Sequence, residues 1–183
     1  LFPVEERPVP QGGPAPYALS PTQPFPVLPE PIHPDTLTED DMFGFVWFDR
    51  QACVKEFREL NYAGRYTPIG TEPTLVYPGF MGGSNWGSVS YDPQRNLLIA
   101  NTTRVPAVIE LVPREVVDAP GFSQPVERQE GTPYAVKRRP FLSPLGAPCN
   151  RPPWGVLTAV DMNTGKKAWE VPLGSTRDLA PFP

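Results

Sequence analysis

GVLTAVDMNTGKKAWEVPLG, residues Gly155 to Gly174, is the stretch whose reading decides the fold. Val156, Thr158 and Val160 alternate with Leu157, Ala159 and Asp161, which is the period of a strand. Asp161-Met162-Asn163-Thr164-Gly165 supplies turn chemistry, with Gly165 suited to a positive φ. Lys167 to Val171 returns as the partner strand and carries Trp169. The unit is one hairpin of a four-stranded sheet, the building block of a propeller blade. Only one clean copy is present, so internal periodicity does not by itself establish a repeat.

Upstream, TLVYPG (74–79) reads as a short strand ending in a turn. GSVSYDPQRNLLIAN (87–101) reads as two strands joined at Asp92-Pro93, and VPAVIELV (105–112) as a further strand. Residues 113–153, dense in Pro and Gly, read as a long loop insertion; loops of that length in compact domains are often functional. Leu37 to Leu60 is the best helical stretch. Thr38 is its N-cap, Asp41 completes a variant capping box, and Glu39, Asp40 and Asp41 suit the first turn. Gly44 and the aromatic run Phe45 to Phe48 split it into two short helices, the second with Cys53, Phe57 and Leu60 on one face. Prolines crowd the first 34 residues and predict a polyproline or coil arm lying over a surface, pinned by Phe25, Val27 and Leu28. The organisation expected is an arm over 1–36, a helical insertion over 37–62 and blade strands over 63–183.

Composition narrows the class. Proline makes up 28 of 183 residues, against a usual share of about 5%. The 4 Trp, 10 Phe and 6 Tyr argue against a disordered chain and for ordered loops around a core. A net charge of −4 disfavours nucleic acid, and Lys137-Arg138-Arg139 reads as a solvated loop. No apolar run approaches the roughly 20 residues of a membrane span, and no signal-peptide pattern opens the chain, so the polypeptide is expected to be soluble. Cys53 and Cys149 permit one disulfide or two buried thiols. His33, in Pro-Ile-His-Pro, is the single histidine, which excludes a multi-His metal site within the chain. No HExxH, Walker A, GxGxxG or CxxC pattern occurs.

The run Ala159-x-Asp161-x-x-Thr164-Gly165-Lys166-x-x-Trp169 resembles the tryptophan-docking motif of pyrroloquinoline quinone (PQQ) dehydrogenases. PTQPFPVLPEP, LTEDDMFGFVWFDRQACVKEFRELNYAGRYTP, NWGSVSYDP, GTPYAVKRRPFLSPLGAPCNRPPWG and GSTRDLAP are similar, in order, to the membrane-bound glucose, quinate and shikimate branch of that family. The resemblance implies a mainly β fold, part of an eight-bladed β-propeller with a Pro-rich arm and short helices, in which the Trp packs between neighbouring blades. It also implies that the chain is the C-terminal part of a longer enzyme. That parent would oxidise glucose, or a related sugar or cyclic polyol, at the periplasmic face of the bacterial inner membrane and pass electrons to ubiquinone. PQQ and a divalent cation, calcium or magnesium, would be its cofactors. The membrane domain, the general-base Asp and the PQQ-binding Lys would lie outside this chain, so Asp49, Asp92 and Asp161 are not assigned as base and the chain alone is expected to be inactive. Quinate or shikimate oxidation is the alternative within the family. A non-catalytic propeller or interaction module is the alternative outside it.

Three residues are singled out for cofactor contact: Asn85, Trp86 and Asn101. A flat, tricarboxylated quinone needs a planar face and amide or cationic donors. Asn85-Trp86 offers an amide beside an indole, and the resemblance sets Asn101 close to PQQ. The plain alternatives are a turn Asn, a core Trp and a strand-capping Asn. Arg104 and Arg114 are expected to face solvent rather than an anionic substrate. The open edges of a partial propeller predict either a homodimer or coverage by the arm and helices.

Overall fold

The computed structural model describes residues 3–14, 19–33, 36–87 and 89–175. The described elements are β1 (Val4–Pro8), β2 (Thr22–Pro26), a 3-10 turn (Glu39–Asp41), α1 (Trp47–Glu59), β3 (Thr74–Val76), β4 (Val89–Asp92) and β5 (Leu97–Thr103). They continue through β6 (Ala107–Pro113), α2 (Arg114–Val117), β7 (Glu127–Arg128), β8 (Tyr134–Pro140), β9 (Gly155–Asp161) and β10 (Lys166–Pro172). Pairing is antiparallel throughout, in a β1-β2 ribbon and two four-stranded sheets ordered β10-β9-β5-β4 and β3-β6-β8-β7.

The first four-stranded sheet is a blade, and the hairpin that opened the sequence reading forms two of its strands. Gly165 closes the turn at φ 70°, donating its N–H to the Asp161 carbonyl at 2.7 Å, while Asp161 Oδ1 accepts from Asn163 N–H at 2.8 Å. Register shifts between Lys167 and Trp169, so Trp169 stands opposite Ala159, a large ring across from a small residue. Leu157 is paired with Asn101 on one side and Val171 on the other, and Ala159 with Ile99 and Trp169. Asn101 and Trp169 therefore project from the same face of the blade. The Trp169 ring remains 38% exposed on that face.

The two sheets are interleaved along the chain. After β5 it leaves the blade to build β6, α2, β7 and β8, then returns through Trp154 to β9. The stretch 113–153, read from sequence as a loop, thus holds a helix and two strands of the second sheet. Its pattern is hard to see because β8, YAVKRRP, carries its charge toward solvent and ion pairs: Arg138 with Glu127, and Arg139 with Glu56 of α1.

The main core lies between α1 and this second sheet. Cys53 and Val54 of α1 pack with Leu37, Met42, Leu75, Tyr77, Val108, Phe141 and Cys149, and Phe57 and Leu60 close over them. That is the helical face expected from sequence. The break at Gly44 also stands: α1 begins at Trp47, and the Asp41 carboxylate accepts from Thr38 N–H (2.7 Å) and Oγ (2.8 Å). Cys53 and Cys149 form a disulfide across a sequence separation of 96, with both residues buried. A smaller core of Val112, Val117 and Ala135 sits under α2.

The Pro-rich arm departs from expectation, because part of it is a β ribbon rather than polyproline or coil. Val27 N–H donates to the Pro3 carbonyl at 3.0 Å and Val9 N–H to that of Pro21 at 3.2 Å. Those bonds put Glu5↔Phe25 and Arg7↔Gln23 in the hydrogen-bonded set of the ladder. Pro8, Pro24 and Pro26 all fall at the opposite parity, where a strand's N–H points away from its partner and none is missed. Phe25 pins the ribbon, edge-on to Tyr66 at 5.5 Å with the Arg7 and Arg65 guanidiniums over its ring.

Candidate cofactor site

The candidate residues share one corner, where a glycine-rich loop leads into β4. Gly79 starts it, donating its N–H to the Val105 carbonyl at 2.8 Å. A Cβ there would stand 2.8 Å from that of Ala107, so only glycine admits this approach. Gly82, at φ 79°, donates to the Gly79 carbonyl, and the Gly83 carbonyl accepts from Thr103 N–H at 2.7 Å, tying the loop to the end of β5. Asn85 Nδ2 donates to the Met81 carbonyl at 3.0 Å, so half of that amide is spent holding the loop.

Trp86 follows, 96% exposed, and so lies outside the core of this chain. Asn101 lies on β5, exposed, its amide against Gly87 and without a hydrogen bond among the described residues. The corner therefore presents a bare aromatic face and an amide without a hydrogen bond among the described residues, two of the features a flat polar quinone requires. These residues fit one wall of a PQQ site.

Around the corner, charged groups are committed to structure. Arg104, expected in solvent, is buried: its Nη2 donates to Glu170 Oε2 at 2.8 Å and to the Ile32 carbonyl at 2.7 Å. Its N–H donates to the Trp154 carbonyl and its carbonyl accepts from Asn150 Nδ2, both at 2.7 Å. One residue thus ties together the arm, the blade and the point where the chain returns to it. Sequence did not reveal this, because an Arg just past the end of a strand, after two threonines, looks solvated. Arg114 donates to the Gln129 and Thr132 carbonyls. Asp49 is fully buried and accepts from Phe45 N–H (2.9 Å), Ser143 Oγ (2.8 Å) and Leu145 N–H (3.0 Å), which leaves it structural rather than a base. His33 meets Tyr77 edge-on at 6.2 Å, and burial pushes the Tyr77 phenol up to about 12. Among the described residues no three His, Cys, Asp or Glu side chains converge as for a metal.

A family model described as the PQQ glucose/ethanol/alcohol dehydrogenase β-propeller domain matches residues 1–183. The chain belongs to this family. It is similar to the quinoprotein glucose dehydrogenase of Escherichia coli (strain K12), 39% identical over 192 residues, covering all of this chain and 24% of that protein. The probable quinate dehydrogenase (quinone) of Xanthomonas campestris pv. juglandis is 38% identical, with 100% of this chain and 24% of that protein covered. The glycerol dehydrogenase large subunit of Gluconobacter thailandicus is 40% identical, with 100% and 27% covered. The chain spans about a quarter of the length of these relatives. As a PQQ β-propeller chain it contributes at least one four-stranded blade, the Trp169 sheet, and a disulfide-stapled second sheet spliced into it.

Proposed function

We propose that this chain is the C-terminal part of a PQQ-dependent dehydrogenase that oxidises glucose, or a related sugar or polyol, and passes the electrons to ubiquinone. The observation that carries the reading is the family match over residues 1–183; an exposed Trp86 ring and the Asn101 amide at one corner of the blade support it. When bound, PQQ supplies the two-electron acceptor for alcohol oxidation. Asn101 would hold the group through its Nδ2 donor, and Trp86 would cover one face of the site against water. Asn85 acts through the loop, keeping Trp86 in place by its bond to the Met81 carbonyl. The base, the PQQ-holding lysine and the ligands of calcium or magnesium come from the rest of the parent protein.

A periplasmic location suits the buried Cys53–Cys149 bridge, since such cross-links persist in oxidising compartments. Attachment to the inner membrane is assigned to the parent's other segments; no described helix is long and apolar enough to cross a membrane. Relatives named for glucose, quinate and glycerol stand at 38–40% identity, too even to rank substrates.

The test is reconstitution of the full-length protein with PQQ and calcium or magnesium, followed by assay with glucose, quinate, shikimate and glycerol against a soluble ubiquinone analogue. Turnover of glucose above the others supports the reading, and preference for quinate or shikimate moves it to the sister activity. Failure to take up PQQ would leave a non-catalytic propeller.

A further inference from the structure

We propose that Gly87 is a positioning residue for the cofactor contact of Asn101, its bare α-carbon being the surface on which the Asn101 carboxamide rests. The proposal depends on the reading of Asn101 as a PQQ contact. A Cβ built on Gly87 would lie 3.0 Å from Asn101 Oδ1, 3.1 Å from Nδ2 and 3.5 Å from Cγ, and these are its three nearest neighbours. The first two are tighter than ordinary van der Waals contact, so the amide would have to give by a few tenths of an ångström.

Gly87 is not required by its backbone. Positive φ angles occur at Gly82, Gly121, Gly165 and elsewhere, but not at Gly87. An alanine would be free to adopt its conformation, so what glycine provides here is space, and the atoms nearest to that space belong to one amide. That amide makes no hydrogen bond among the described residues, and Gly87 packs directly against it. Nor is its backbone free to retreat. Asn101 is held in the β5–β9 ladder opposite Leu157, and two residues on, Thr103 N–H is bonded to the Gly83 carbonyl of the same loop. A methyl group at position 87 therefore displaces the amide by rotation of its side chain, away from the orientation in which it donates to PQQ.

The experiment is a double-mutant cycle in the full-length protein with Gly87→Ala, Asn101→Ala and the pair. PQQ affinity of the apo-protein is titrated by quenching of tryptophan fluorescence, and apo-protein melting is followed in parallel. Gly87→Ala is expected to weaken PQQ binding by about three- to tenfold, the range of one stretched or lost hydrogen bond, with melting unchanged. In the Asn101→Ala background it is expected to add nothing. Equal losses in both backgrounds, no loss in either, or a lowered apo melting temperature would overturn the positioning role. Full PQQ affinity in Asn101→Ala would instead remove the reading of Asn101 as a contact, and the proposal with it.

Discussion

Arg104 Nη2 and Glu170 Oε2 meet at 2.8 Å, joining the residue at which the chain leaves the blade to the residue after Trp169. Thr158 Oγ1 at 3.2 Å and Lys167 Nζ at 3.1 Å converge on the same carboxylate oxygen. Arg104→Met leaves that carboxylate partly buried with its strongest partner gone. The expected loss is about 3 kcal/mol, at the low end for a broken buried pair because Lys167 remains. Urea unfolding of the full-length protein measures it, and Arg104→Met with Glu170→Met should recover part of the loss.

The same carboxylate makes stability depend on acid. Burial raises the Glu170 pKa, but the hydrogen bonds from Arg104 and Lys167 outweigh it and hold the group below the usual glutamate range. A depressed folded-state value means the contribution is complete above the unfolded value of about 4.3 and is lost as pH falls through the folded value. Glu170→Gln should flatten that part of the stability–pH curve below pH of about 4.3, and a curve parallel to wild type would refute the assignment.

Asp49 stitches the start of α1 to the loop carrying Ser143 and Leu145 with three hydrogen bonds. Asp49→Asn turns one acceptor into a donor facing a donor, and should cost about 1–3 kcal/mol. Hydrogen exchange at the Phe45 and Leu145 amides would locate the damage; protection equal to wild type would contradict it.

Replacing Cys53 and Cys149 by serine opens a cross-link spanning 96 residues. Loop-closure entropy predicts a loss of about 4–5 kcal/mol. Denaturant midpoints of the oxidised and serine forms give the value directly.

Trp86→Ala should leave apo-protein melting within about 0.5 kcal/mol of wild type, because so exposed a ring contributes little to the fold. PQQ affinity should fall by about three- to tenfold with the loss of an aromatic face. Unchanged affinity would remove Trp86 from the site.

The strands with two-residue alternation were legible from the sequence, as were the turns at Asp92-Pro93 and Asp161–Gly165. So was the buried face of α1, where Cys53, Phe57 and Leu60 recur at helical spacing. The ribbon at Val4–Pro8 and Thr22–Pro26 was hidden because proline disfavours strands on average, whereas what matters is the parity at which it falls. β8 was hidden because its outward residues are ion-paired arginines. For the site, residue types and the family resemblance pointed to Asn85, Trp86 and Asn101, with Asn101 foremost. What the sequence did not show is that Asn85 is bonded within its loop, while the Trp86 ring is exposed and the Asn101 amide has no hydrogen bond among the described residues. Gly87 carries no signal in a single sequence, because a glycine chosen for a neighbour's side chain looks like any turn glycine.

Splicing the second sheet between β5 and β9 also imposes an order on assembly. A chain delivered N-terminus first presents the β4–β5 hairpin early, with its β5 edge waiting for a strand that lies beyond residues 104–154. Cys149 arrives just ahead of that strand, and its partner on α1 is already in place. The cross-link therefore ties the chain to α1 a few residues before Gly155, where it re-enters the blade, and shortens the free length over which β9 must find the β5 edge.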